Sequence, residues 1–110
     1  MSEEITYKVI KLIEQDAEIS QREISKELGV SLGKVNYCLR ALVDKGWVKA
    51  RNFKNSKNKL AYRYKLTPRG IHEKSLLTFG YLRKKIDEYE KLEQEIEHLQ
   101  NEIQYLHNQK

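Results

Sequence analysis

The sequence predicts a mainly α-helical chain that carries one small antiparallel β-hairpin and ends in a single long helix. Three observations predict it. Apolar residues recur at helical spacing through most of the chain. Alternation with a period of two is confined to residues 47–66. From Leu82 onward the apolar period becomes a heptad. Five Gly and one Pro in 110 residues are few, which fits helices joined by short turns. The length suits about one domain with one modest core.

The first helix is expected over Glu3–Asp16, with Ser2 as its N-cap and Ile5, Val9, Leu12 and Ile13 repeating along one face. Asp16-Ala17-Glu18-Ile19 is a short connection that could form a brief strand. A second helix starts at Ser20, because Ser20 and Glu23 stand at capping-box spacing. Ile24 and Leu28 face inward, and Gly29 stops the helix by taking the left-handed conformation. Ser31 caps a third helix that continues to Lys45, with Gly46 as its stop. Two helices joined by Leu28-Gly29-Val30-Ser31 form a helix-turn-helix pattern. Many helical hairpins contain a Gly, so the pattern alone is only moderately specific.

Residues 47–53 then read as a strand, 54–59 as a polar, basic turn, and 60–66 as a second strand. Leu60, Tyr62, Tyr64 and Leu66 fall on one face of that strand, Arg63 and Lys65 on the other. A hairpin directly after a helix-turn-helix is a wing. Thr67-Pro68 opens the last helix as cap and first residue. It runs to about Asn108, with Gly80 expected to interrupt or kink it. In the heptad, Leu82, Tyr89, Ile96 and Ile103 occupy a, and Leu92, Leu99 and Leu106 occupy d, while Lys85 breaks the first d position. The fold class is therefore mainly α with a small antiparallel hairpin: a winged helix-turn-helix over 1–79, followed by a dimerisation helix over 80–110.

Composition removes several function classes. No apolar run approaches the roughly 18 residues of a membrane span, and the charged N-terminus does not resemble a signal peptide. A soluble, cytoplasmic protein with no membrane partner is expected. The single cysteine, Cys38, excludes an internal disulfide, and burial explains it better than redox chemistry. His72, His98 and His107 lack ligand spacing, so neither a metal nor another cofactor is expected. No nucleophile–base pair, paired carboxylates or phosphate-cradling Gly loop is visible, which argues against an enzyme.

Charge is distributed unevenly. Residues 82–110 hold five bases against seven acids, whereas residues 49–74 hold nine bases and one acid, Glu73. A segment so basic suggests a polyanionic partner.

On a helical wheel, Val35, Leu39 and Leu42 of the third helix form a core face with Cys38 and Val43 at its edges. The opposite face carries Gly33, Lys34, Asn36, Tyr37 and Arg40, with no acid before Asp44. A hydrated surface is the plain reading of such a face. Its residue types favour double-stranded DNA: Lys and Arg for phosphate or guanine, Asn for adenine, Tyr for phosphate or a thymine methyl. Gly33 permits close approach of the helix start to a phosphate backbone. The candidate DNA-contacting set is Ser31, Gly33, Lys34, Asn36, Tyr37 and Arg40, with Arg51, Lys54, Lys57, Lys59 and Arg63 from the hairpin. The tip lysines could instead guard a strand edge. Trp47, Tyr62 and Tyr64 are read as core in preference to a stacking platform for single-stranded nucleic acid.

For the heptad helix, self-association is favoured over folding back on its own domain, giving a homodimer through Tyr89, Leu92, Ile96, Leu99, Ile103 and Leu106. Ile at a with Leu at d favours a parallel pair. The flanking acids oppose one another in either direction, so parallel and antiparallel both stay open. An RNA- or protein-binding winged module is the alternative to duplex DNA recognition.

The run from Ile19 to Ala50, the basic hairpin and the Leu66-Thr67-Pro68-Arg69-Gly70 segment together resemble the MarR-type winged-helix regulators. The closest likeness is to short MarR-like regulators associated with exopolysaccharide biosynthesis, and it covers most of the chain. The resemblance implies transcription regulation, with repression as the expected mode. It also implies a third helix in the major groove, carried by Lys34, Asn36, Tyr37 and Arg40, and a wing carried by Arg51 to Lys59. Typical members are longer and dimerise through a bundle of N- and C-terminal helices beside an effector pocket. This chain has little before its first helix and one long helix after the wing. No ligand residues are therefore carried over, and a small-molecule effector stays an open question.

Overall fold

The computed structural model describes residues 2–54, 56–57 and 59–109. Asn55 and Asn58 of the expected hairpin tip, and the two terminal residues, lie outside the described residues. In chain order the elements are α1 (Glu3–Gln15), α2 (Gln21–Leu28), α3 (Leu32–Asp44), β1 (Val48–Lys54), β2 (Leu60–Leu66) and α4 (Pro68–Asn108).

Local chemistry sets most of these boundaries. The Ser2 hydroxyl accepts from the Ile5 N–H at 3.1 Å and starts α1. Both halves of the Ser20–Glu23 capping box are formed at the start of α2. Gly29, at φ 65°, closes α2, and the turn to α3 is locked because Ser25 donates its hydroxyl proton to the Val30 carbonyl. Gly46, at φ 76°, ends the turn after α3. A side chain at either glycine would be forced into the strained left-handed region.

Residues 16–19 do not form the brief strand considered above. The Asp16 carboxylate accepts the Glu18 N–H at 3.0 Å, curling the segment into a turn. One strand-like bond survives, from the Tyr64 N–H to the Ala17 carbonyl at 2.8 Å. It ties the hairpin to the end of α1.

The core lies between α1, α2, α3 and the base of the hairpin, and Val9, Ile10, Ile24, Val35, Leu42 and Val48 are almost completely buried in it. Three of the expected inward residues differ. Val43 is 39% exposed, because it points into the gap between α3 and the hairpin. Tyr62 (44%) and Leu60 (66%) share the inward strand face with Tyr64, but the hairpin extends past the helices that would cover them.

The Leu66-Thr67-Pro68-Arg69-Gly70 segment is a joint. The Thr67 hydroxyl accepts from the Gly70 N–H at 3.1 Å and donates to the Gly46 carbonyl at 2.6 Å. The Thr67 N–H donates to the Trp47 carbonyl at 2.9 Å. A Cβ on Gly70 would stand 2.0 Å from that same carbonyl oxygen. Only glycine lets α4 start so close to the foot of the wing.

α4 spans 41 residues, about 61 Å at 1.5 Å per residue. It runs through Gly80 without the expected interruption and makes the molecule 72 Å long. Contacts with α1 hold the helix on both sides of that glycine. Lys74 pairs with Glu14, Tyr81 stacks on Tyr7 at 4.7 Å, and Lys84 pairs with Glu4 at 3.2 Å. Beyond these contacts the helix projects freely. The radius of gyration is 20.4 Å, whereas a compact chain of this length would have about 13 Å.

Candidate nucleic-acid interface

Helix α3 is anchored on one side by Val35, Cys38, Leu39 and Leu42, all buried. Burial pushes the Cys38 thiol above its ordinary range, so the group is a neutral part of the core. The opposite side of α3 faces solvent. Lys34, Tyr37 and Arg40 are exposed there, Tyr37 by 67%.

Two members of the expected set have additional work. Ser31 uses its hydroxyl to accept the Lys34 N–H at 3.1 Å, which starts the helix. Asn36 is half-buried and donates its amide to the Gln21 side-chain oxygen at 3.2 Å, bracing α3 against α2. Gly33 differs from Gly70, since a Cβ there would meet nothing within 4 Å. The fold itself does not require a glycine at that position.

An open hollow of about 440 Å³ separates α3 from the hairpin, bordered by Asn36, Arg40, Val43, Ala50 and Tyr62. The three aromatics do not form a platform. Tyr64 is buried and Trp47 is half-buried against the core, whereas Tyr62 is exposed and stacks on Tyr64 at 6.2 Å. The Trp47 indole N–H is buried with no hydrogen-bond partner among the described residues.

Strand β1 pairs with β2 in antiparallel register, from Val48 opposite Leu66 to Lys54 opposite Leu60. Arg51, Lys54, Lys57, Lys59 and Arg63 are all exposed along this ribbon. Arg63 is also engaged within the chain, with Glu18 at 3.4 Å and over the Phe53 ring at 5.0 Å. The same register sets two further cations outside the expected set, Lys49 and Lys65, face to face across the strands. Strand alternation already put Lys65 beside Arg63; pairing Lys49 with it required the register.

On α4, Tyr89, Leu92, Ile96, Leu99, Ile103 and Leu106 are each between 46% and 68% exposed. The exposed apolar stripe begins before the expected start at Leu82, with Ile71 and Phe79, and also takes in Ile86. These residues lie on the side of α4 away from Leu77 and Tyr81, which pack on the domain. The heptad had hidden Phe79 and Ile86, because they fall one place after its d positions.

A sequence family described as winged helix-turn-helix DNA-binding matches residues 2–49. That match covers 48 of the 110 residues, from α1 to the start of β1, and agrees with the winged helix-turn-helix fold described above. No curated protein matches the chain. Solved structures with a similar fold include MarR-family transcription regulators. The S. aureus MepR–DNA complex aligns with a TM-score of 0.59 and 20% identity, covering 77% of this chain and 60% of that one. The adhesin competence repressor of Streptococcus pyogenes gives 0.60 at 18% identity, over 83% of this chain and 65% of that one. A MarR protein from Peptoclostridium difficile gives 0.58 at 18% identity, over 72% of this chain. The chain spans about half the length of that last protein (50%) and of the PcaV regulator from Streptomyces coelicolor (54%). At these identities the likeness is one of fold. No helix among the described residues is long and apolar enough to cross a membrane, and no His, Cys, Asp or Glu cluster among them could hold a metal ion.

Proposed function

We propose that the chain is a transcription regulator, a repressor in its expected mode, that acts in the cytoplasm and binds specific duplex DNA as a homodimer. The observation that carries this reading is the solvent-facing side of α3. There Lys34, Tyr37 and Arg40 project from a helix fixed by its buried side, next to an exposed lysine-bearing wing. In this reading α3 enters the major groove, and Arg40 is the principal base reader through a bidentate contact. The hollow between α3 and the wing leaves room for a sugar–phosphate strand to pass. A glycine at position 33 that its own fold does not require supports close approach of the helix start to a phosphate. Lys54, Lys57 and Lys59 contribute affinity through phosphate, not sequence. The exposed stripe on α4 supports pairing with a second copy, with the dimer helix taken as residues 80–110. The link to exopolysaccharide loci rests on the sequence resemblance alone.

Selection of bound duplexes from a random pool tests this directly. A regulator of this kind should yield two related half-sites, with centres about one helical turn (roughly 10 bp) or a multiple apart. A pool that stays random, or tighter binding to structured RNA than to any duplex, would remove the reading.

A further inference from the structure

The hairpin register divides the cations of the wing between its two faces. Lys49 stands directly opposite Lys65, and Arg51 directly opposite Arg63. These four share one face with Phe53 and Ala61. Ala50, Tyr62 and Tyr64 share the other, which looks toward α3. Directly opposed side chains have Cβ atoms about 4.5–5.5 Å apart, and like charges in that position destabilise a sheet. Arg63 is relieved by Glu18 and by the Phe53 ring. Lys49, Arg51 and Lys65 have no acidic partner among the described residues, and all four cations are exposed. With Thr67 and Pro68 they line a hollow of about 400 Å³ at the start of α4, where the helix dipole adds further positive potential. A solvated hairpin needs only polar residues here, and mixed signs would serve it better. Two facing pairs of like charge form an arrangement that a polyanion relieves.

We propose that this outer face of the wing is a second phosphate-binding surface, which holds the backbone of duplex DNA lying beyond the half-site entered by α3. The inference rests on the DNA-binding reading above. A duplex in contact with α3 meets the inner face of the ribbon and its tip. The outer face is turned away from that contact. It is reached by DNA that continues past the half-site and curves around the hairpin, a deformation offset by the added phosphate contacts. Affinity should therefore depend on flanking length, and the four outer cations should not contribute to sequence choice.

The test compares the parent with the double variant Lys49→Ala/Lys65→Ala on two duplexes. One is a selected site with about one helical turn (roughly 10 bp) of flank on each side; the other is the same site trimmed of its flanks. On the flanked duplex the variant should bind at least tenfold more weakly. Its log–log salt slope should flatten by about 3.6, for four phosphates lost per dimer at 0.9 each. On the trimmed duplex parent and variant should bind alike. Equal loss on both duplexes, or no loss on either, overturns the proposal. A parent that binds neither duplex removes the DNA-binding reading itself, and this proposal with it. A second variant checks the premise without DNA. Lys65→Glu places opposite charges face to face and should raise Tm while abolishing the advantage of the flanks; a lower Tm overturns the premise of like-charge strain.

Discussion

The winged domain and the distal half of α4 use the same kinds of side chain to opposite ends. In the winged domain Ile10, Ile24, Val35 and Leu42 are at most 2% exposed. Beyond Leu82, residues of the same size at regular heptad spacing stay open, Leu99 at 52% and Ile103 at 68%. Fully burying one such side chain is worth about 1.5–3 kcal/mol. The winged domain therefore satisfies its apolar residues internally, whereas the distal helix can satisfy its own only against another surface. Periodicity reports which face of a helix is apolar. It does not report what covers that face.

The largest expected effect breaks the distal side of this comparison. Leu99→Asp puts a carboxylate at a central d position, where burying it unpaired costs several kcal/mol. The dissociation constant of the proposed dimer should rise roughly a hundredfold or more, at 1.4 kcal/mol per tenfold. The melting of the winged domain should barely change. Sedimentation at micromolar concentration checks it, and a variant that stays dimeric would move the interface off the coil.

The two glycines of α4 sharpen the comparison within one helix. Gly70→Ala drives a methyl group into the Trp47 carbonyl, so either the start of α4 or the foot of the wing must move. A loss of about 2–4 kcal/mol is expected, in the range of severe steric substitutions. Gly80→Ala meets only the Glu3 carboxylate, at an ordinary 3.6 Å, and should gain about 0.5–1 kcal/mol from helix propensity. Chemical denaturation of both variants measures the difference. Opposite signs are the expected outcome.

On the proposed DNA-facing side of α3, Arg40→Ala should narrow the gap between specific and scrambled duplex by about 1–3 kcal/mol with no change in stability. Asn36→Ala should behave differently, because its amide also braces α2 through Gln21. It should cost about 0.5–1.5 kcal/mol of stability, the usual net value of a hydrogen bond. Titration and melting of the two variants in parallel separate a base reader from a brace. Equal weakening of Arg40→Ala on both duplexes would assign Arg40 to the backbone.

The smallest effect concerns the clamp between α1 and α4. Lys84, by its hydrogen bond and its charge, holds the Glu4 carboxyl below its ordinary value of 4.5. A depressed folded pKa contributes stability above the usual carboxylate range, and that contribution is lost as pH falls through the folded value. Glu4→Gln should therefore melt slightly below the parent at pH 7, with the difference vanishing as pH falls through the lowered folded value. Since Lys84 is exposed and Glu4 is only half-buried, the difference at pH 7 should be small and should shrink with added salt. A gap that persists in acid would mean that Glu4 acts by packing.

What could be read from the sequence was local. Ser2, Ser20, Ser31 and Thr67 cap their helices as expected, Gly29 adopts the left-handed turn expected of it, and Gly46 ends the turn after α3. Each of these depends on atoms within a few residues. The outer face of α3 was legible for the same reason, because 3.6 residues per turn places Lys34, Tyr37 and Arg40 away from Val35 and Leu39. Readings that depended on neighbours distant in sequence went less well. Tyr62 and Val43 looked like core because their spacing is right, yet nothing in a sequence says how far a hairpin extends beyond its helices. Gly80 looked like an interruption because propensity favours one, and contacts from α1 on both sides of it override about 1 kcal/mol of preference.

By itself, then, the sequence determined where each helix is capped, which stripe of α1, α2 and α3 is apolar, and which segment is basic, because capping, turn chemistry and periodicity act over one or two turns of chain. Only the tertiary structure decided which cations face one another. Lys49 and Lys65 are sixteen residues apart and meet only through the register of the hairpin. The same holds for the need for glycine at position 70, which comes from the Trp47 carbonyl at the other end of the hairpin sequence, and for the bracing of Asn36 by a different helix. These are through-space relations. Steric exclusion and electrostatics act on distance in the folded chain, and distance is what folding creates.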